Sequence, residues 1–315
     1  MNMIDLKKKK ILITGSHGFL GNHLVKNLLE QRRVPKENLF VPTIEDLDLR
    51  KWENCQKAVQ GKDIIIHLAA KVGGIGFNKE KPGELFYDNL IMGVQLMEAA
   101  RQAGTEKFIA IGTICAYPKF TPIPFKEEDL WNGYPEETNA PYGLAKKMLL
   151  VQAQAYRRQY GFNAIYLLPV NLYGPGDNFN PESSHVIAAL IKKIADAKKQ
   201  GKDYIEVWGT GKVSREFFYV EDATEGIILA TERYNKGEPV NLGFGMEISI
   251  KDLVGLVCES MDFKGEIRWD ASMPDGQPRR MLDIIRAEKE FGFKAKTDFK
   301  QGLKKTVKWY YENCN

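Results

Sequence analysis

Apolar residues along this chain fall into two alternating patterns. Short unbroken runs read as buried strands, and longer stretches with apolar residues every three or four positions read as amphipathic helices. Lys10–Thr14, Leu39–Val41, Asp63–Ala70 and Lys107–Gly112 are of the first kind. The stretch with Leu20, Leu24, Leu28 and Leu29 is of the second kind, as are Leu85–Arg101 and the helix entered after the loop Pro118–Ala140. Strands alternating with helices through residue 170 predict an α/β fold with a parallel, doubly wound sheet. Pro169 marks a change, because Asn171–Pro181 is rich in glycine, proline and asparagine and predicts a loop into a smaller α/β lobe. There Ser184–Lys199 predicts a helix with Val186, Leu190, Ile191 and Ile194 inward, Ser249 caps a helix over Ile250–Met261, and Lys300–Glu312 closes the chain. Phe217–Asp222 leads back to the first lobe before a helix over Asp222–Tyr234. The expected division is 1–170 for the first lobe, with a return at 216–243, and 171–315 mainly for the second.

Composition changes this picture little. Of 315 residues, 43% are hydrophobic and 27% charged, as in ordinary soluble proteins. A net charge of +4 leaves room for an anionic ligand, but no basic run is interleaved with aromatics as a nucleic-acid binder would need. Lys7–Lys10 reads as a solvated flank of the first strand. No apolar stretch approaches the ~20 residues that span a bilayer, and Ile11–Gly15 is too short for a signal peptide. Cys55, Cys115, Cys258 and Cys314 show neither CxxC pairing nor metal-ligand spacing. The expectation is a cytoplasmic protein without disulfides, a metal site, a membrane or a nucleic-acid partner.

Candidate chemistry gathers where the predicted strands end. Gly15-x-x-Gly18-x-x-Gly21 stands between a strand and a helix, the context of a dinucleotide-binding turn. Glycine lets the backbone approach a pyrophosphate, and the helix N-terminus offers free N–H groups. The second strand ends in neither the acid that selects NAD nor an arginine suited to NADP, so that choice stays open. Small residues after the third strand, Ala69 and Ala70, permit close approach of a cofactor, whereas His67 reads as a structural histidine. Thr113 and Cys115 lie at the carboxyl end of the next strand. Tyr142 and Lys146, four residues apart, share one helix face, so an ammonium would stabilise a phenolate one turn away. Each element has a plainer reading: an empty turn, a core-filling thiol, a solvated Tyr-x-x-x-Lys pair.

Taken together, Thr14-Gly15-x-x-Gly18-x-x-Gly21, Thr113 and Tyr142-x-x-x-Lys146 resemble the extended short-chain dehydrogenase/reductase superfamily, which implies a Rossmann-type first lobe. Ala70-Lys71-Val72-Gly73-Gly74-Ile75, Cys115-Ala116-Tyr117-Pro118, Asn171-Leu172-Tyr173-Gly174-Pro175 and Asp177-Asn178-Phe179 narrow the resemblance to the GDP-L-fucose synthase family. Ser184-His185-Val186, Val207-Trp208-Gly209-Thr210-Gly211, Arg215-Glu216-Phe217 and Pro274-Asp275-Gly276-Gln277-Pro278-Arg279 point the same way, so the likeness runs from about residue 10 to the C-terminus. The resemblance implies epimerisation of GDP-4-keto-6-deoxy-mannose at C3 and C5, then reduction at C4 with NADPH. Thr113, Tyr142 and Lys146 would serve the carbonyl oxygen, with Cys115 and His185 as the acid–base pair. Cofactor contacts are expected at Gly15, Ser16, His17, Gly18, Phe19, Leu20, Gly21, Asp48, Leu49, Leu68, Ala69, Ala70, Tyr142, Lys146, Pro169, Asn171, Leu172 and His185. Substrate contacts are expected at Val72, Gly73, Cys115, Asn171, Lys193, Trp208, Arg215, Asp275 and Arg279. Trp208 reads almost equally well as a core residue. Pairing of two copies is implied by the superfamily alone.

The chain also departs from the family pattern. Ile114 stands where a serine is usual and would add bulk beside the sugar. His17 and Pro42 replace arginines suited to a 2'-phosphate, and Met273 replaces a lysine. NADP is therefore favoured only by resemblance. The alternatives are an epimerase or 4-ketoreductase acting on another 4-keto nucleotide sugar, and a non-catalytic dinucleotide-binding regulator.

Overall fold

The computed structural model describes residues 3–181, 183–273 and 276–314. The chain begins β1 (Ile11–Thr14), α1 (Phe19–Glu30), β2 (Leu39–Phe40), α2 (Trp52–Val59), β3 (Ile64–His67) and α3 (Ile75–Glu80). It continues α4 (Pro82–Gln102), β4 (Lys107–Ile111), α5 (Ala140–Tyr160) and β5 (Ala164–Pro169). Beyond Pro169 come β6 (Asn171–Tyr173), α6 (Val186–Lys199), β7 (Tyr204–Trp208), β8 (Ser214–Tyr219), α7 (Val220–Arg233) and β9 (Val240–Leu242). The last elements are β10 (Glu247–Ser249), α8 (Ile250–Ser260), β11 (Glu266–Asp270), β12 (Arg279–Arg280), α9 (Ile285–Phe291) and α10 (Phe299–Asn313).

A six-stranded parallel sheet in the order β2-β1-β3-β4-β5-β9 forms the first core. Its strands carry apolar side chains on both faces because helices cover both faces. In β1 and β3, paired from Ile11↔Ile64 to Thr14↔His67, every residue is buried. The second core packs α6, α8 and α10 against β7 and β8. In it β8 pairs with β6, β10 and β12, and β7 pairs with β11.

Asn171–Tyr173, expected to be loop, forms β6 because it pairs in parallel with Phe217–Tyr219 of β8. Helix α6 starts at Val186 instead of Ser184, which leaves His185 as its N-cap residue. Ser249 does cap α8, accepting from Asp252 N at 3.0 Å.

Glu216, fully buried on β8, ties the two cores together. Its carboxylate accepts from the backbone N–H groups of Phe244 (2.6 Å), Gly245 (2.8 Å) and Leu282 (2.7 Å). Burial pushes this carboxyl up to about 7, against the pull of those donors. Asn241, at the end of the first sheet, bonds Phe125 O (2.9 Å), Asp283 O (3.0 Å) and Tyr117 OH (2.7 Å). The segment from β12 to α9 is thereby stitched along the loop that follows Cys115.

Candidate active site

The glycine turn leaves no room for side chains. Gly15 has φ +69°, and a Cβ there would lie 2.7 Å from Ala69 N. A Cβ on Gly21 would lie 2.2 Å from Gly15 O, so α1 seats directly against the turn. Gly18 caps α1 without a side-chain partner, leaving first-turn N–H groups for a ligand. Thr14 Oγ1 meets His67 Nδ1 at 2.8 Å and accepts from Ala69 N at 3.2 Å, holding Leu68–Ala70 beside the turn. His67 is fully buried, and burial drives its imidazole toward the neutral form; its place is structural, as expected. A bare, concave backbone ending on a helix N-terminus fits a dinucleotide diphosphate.

The catalytic candidates meet beyond β4. Thr113 opens a 3₁₀ turn (Ile114–Ala116), its hydroxyl accepting from Cys115 N at 3.2 Å. Helix α5 packs on this turn through Gly143, where a Cβ would stand 2.2 Å from Cys115 O. Gly143 therefore delivers Tyr142 to Thr113, whose hydroxyl hydrogen-bonds the phenol. Burial, reinforced by Cys115 close by, holds the Tyr142 phenol well above its ordinary range despite that bond. Lys146, one turn on, is 2% exposed, and desolvation lowers its ammonium to about 8. Tyr166 OH donates to Lys146 O at 3.1 Å and fixes the helix from below. The neighbouring Lys147 is equally buried, donates to Leu130 O and lies 4.2 Å from the Trp131 ring, pinning the loop that follows Cys115 to α5.

The remaining candidates lie on the second core. His185 is open to solvent yet hemmed in by protein, and that crowding lowers its imidazole pKa. Its neighbour Ser184 faces the Val72–Gly74 loop, since a Cβ on Gly74 would lie 3.3 Å from Ser184 O. Val72 itself is exposed. Trp208 is 62% exposed with the Lys193 ammonium 5.5 Å from its ring, so the core alternative fails and a flat aromatic face remains for a ligand. Arg215 Nη1 donates to Ser214 O at 2.7 Å. Asn171 donates its amide to Glu216 O at 2.9 Å, which commits that group to the β6–β8 junction.

Some expected contacts are not brought together. Leu49 is buried in the first core and Asp48 forks onto Arg50 at 2.9 Å, so neither side chain is free for a cofactor. Ile114, expected beside the sugar, is 3% exposed and turned into the first core by the 3₁₀ turn. Arg279 pairs with Glu247 on the outer face of β12, with Nε 2.9 Å from Oε1. The next residue, Arg280, points inward and reaches Cys115 Sγ at 3.9 Å. Strand alternation explains the exchange, and two adjacent arginines were the available signal. Asp275 lies outside the described residues.

A family model, "NAD dependent epimerase/dehydratase family", matches residues 11–243. The "Probable GDP-L-fucose synthase 1" of Oryza sativa subsp. japonica is 39% identical over 310 residues, covering 98% of this chain and 93% of its own length. The chain belongs to the GDP-L-fucose synthase family. A GDP-L-fucose synthetase from Naegleria fowleri bound to NADP superposes on this member with TM-score 0.88 at 27% identity, covering 99% of this chain and 96% of the other. A GDP-6-OMe-4-keto-L-xylo-heptose reductase from C. jejuni does so with TM-score 0.88 at 27% identity, covering 97% and 98%. This family member is an NAD(P)-dependent epimerase/reductase with a Rossmann-type sheet.

Proposed function

We propose that the protein converts GDP-4-keto-6-deoxy-mannose to GDP-L-fucose, epimerising C3 and C5 and reducing C4. The single observation that carries this reading is the packing of Gly143 on Cys115, which gathers a hydroxyl, a thiol, a phenol and an ammonium at one strand end. Both epimerised carbons flank the C4 carbonyl, so loss of either proton leaves an enolate. Thr113 and Tyr142 donate to its oxygen. Cys115 and His185 form the acid–base pair, one taking the carbon-bound proton and the other returning one to the opposite face. The lowered pKa of His185 makes its proton easy to surrender. A nicotinamide cofactor, when bound on the Gly15–Gly21 turn, supplies the hydride for C4, and Tyr142 protonates the resulting alkoxide with Lys146 holding the phenol ready. Residues 1–170 and 216–243 serve the cofactor, and 171–315 mainly the sugar nucleotide, with Trp208 against the base and Lys193 and Arg215 toward its diphosphate.

The test is product analysis after incubation with that 4-keto sugar and NADPH. GDP-L-fucose is expected, and recovery of unchanged sugar would reject the substrate. The likeness to a GDP-heptose reductase supports a second reading, reduction without epimerisation. That reading expects a 4-hydroxy product with C3 and C5 unchanged. We further propose a cytoplasmic homodimer, formed where α4 and α5 pack together. These helices expose Phe86 (40%), Tyr87 (59%), Val151 (43%) and Tyr160 (48%). Sedimentation should give twice the chain mass, and Tyr87→Glu with Val151→Glu should halve it.

A further inference from the structure

Resting on the reading of Cys115 as a proton-transfer group, we propose that Arg280 is its positioning residue, holding the sulfur in place and stabilising it as a thiolate. The contact bridges the two cores. Arg280 Nη1 reaches Cys115 Sγ at 3.9 Å, while Arg280 Nε donates to Gln277 Oε1 at 2.7 Å. Gln277 is itself 8% exposed and donates from Nε2 to Lys119 O at 2.6 Å, four residues past the cysteine. Thus the loop carrying the thiol also anchors the glutamine that aims the guanidinium at it.

The backbone around Arg280 is fixed on both sides. Arg280 pairs with Arg215 on β8. Next to it, Met281 O accepts from Phe125 N at 2.8 Å and Asp283 N donates to Phe125 O at 2.9 Å. The Glu216 carboxylate takes Leu282 N. A guanidinium held this way loses little entropy on meeting an anion. Two ionisable groups face this sulfur from the elements packed on it, Tyr142 on α5 and Arg280 on β12. A neutral phenol gives no charge for the thiolate to oppose, whereas a cation favours the anionic form. When Cys115 takes a proton from carbon it becomes a neutral thiol, releasing Arg280 from a charge contact. When it returns that proton the contact re-forms. Arg280 exchanges no proton itself, since its guanidinium stays charged throughout.

The test reads the thiol without substrate, so it can fail separately from the assigned reaction. In a Cys314→Ser background the other cysteines, Cys55 and Cys258, are buried. Iodoacetamide labelling of Cys115 is followed by peptide mass between pH 6 and 10. Arg280→Met should slow labelling at pH 7 by roughly five- to tenfold and converge with the parent at pH 10, where thiols ionise unaided. Arg280→Lys should recover part of the rate. Gln277→Leu, which keeps the cation and removes its anchor, should slow labelling less and covers the case in which Arg280→Met does not fold. Unchanged labelling at pH 7 in a folded Arg280→Met or Gln277→Leu protein overturns the proposal. So does unchanged labelling with a raised KM for the sugar nucleotide, which would make Arg280 a diphosphate ligand.

Discussion

Lys146 carries opposing demands within one residue. On the proposed reading its ammonium supports proton delivery by Tyr142, yet burial lowers it to about 8 from an ordinary value near 10.5. As pH rises through about 8 the charge is lost, so ketone reduction should be level below that pH and fall up to tenfold per unit above it. A pH–rate profile of reduction, flat to pH 10, would contradict this. Stability runs the other way. Below pH 8 the folded state bears the full cost of a buried charge, that cost shrinks between 8 and 10.5, and above 10.5 neither state is charged. Lys146→Met should therefore abolish reduction and stabilise the fold at pH 7 by about 3 kcal/mol, a gain that disappears above pH ~10.5 in denaturant titrations. The Tyr-x-x-x-Lys spacing was legible in the sequence because helical periodicity alone puts both groups on one face. The depth of Lys146 was not, since it depends on β4, β5 and the turn at Thr113, all distant in sequence.

Gly143 shows what a whole helix contributes. Gly143→Ala would put a methyl 2.2 Å from the Cys115 carbonyl, forcing α5 off the turn. Overpacking of this kind costs about 1–3 kcal/mol. Both solvent-hydrogen exchange and reduction should fall together, read by mass spectrometry and cofactor absorbance, whereas loss of only one would mean that the two steps do not share this contact. In the cofactor turn, α1 begins after His17, and β2 leads to Pro42, so neither position offers a guanidinium to a 2'-phosphate. Asp46 lies in the same region, its carboxylate accepting from Thr43 N at 2.9 Å. The ratio of kcat/KM for NADPH over NADH should stay below about 10 and rise in Pro42→Arg. Strands and helices of the first half were readable from periodicity because each buries a regular face. Beta-strand β6 and the inward turn of Arg280 were not, because each depends on pairing with β8. A two-residue strand shows that Arg279 and Arg280 face opposite ways, but only its partner fixes which one faces in.

For the whole molecule, the proposed chemistry depends on two cores meeting. The first supplies the glycine turn, Thr113, Cys115, Tyr142 and Lys146. The second supplies His185, Trp208 and Arg280, and the Glu216 carboxylate, with the strap from β12 to α9, holds the two together. Glu216 was present in the sequence within Arg215-Glu216-Phe217, but nothing local showed that it accepts from residues 28, 29 and 66 positions away. On the proposed reading, epimerisation and reduction occur on one enolisable ketone. The most direct measurement incubates the protein with GDP-4-keto-6-deoxy-mannose in deuterated water, with NADPH and NADH in separate tubes, following sugar mass and cofactor oxidation together. Two deuterium atoms on carbon, accompanied by oxidation of the cofactor, are predicted. Oxidation with no carbon-bound deuterium would contradict the acid–base role of Cys115 and His185 and leave a simple ketoreductase.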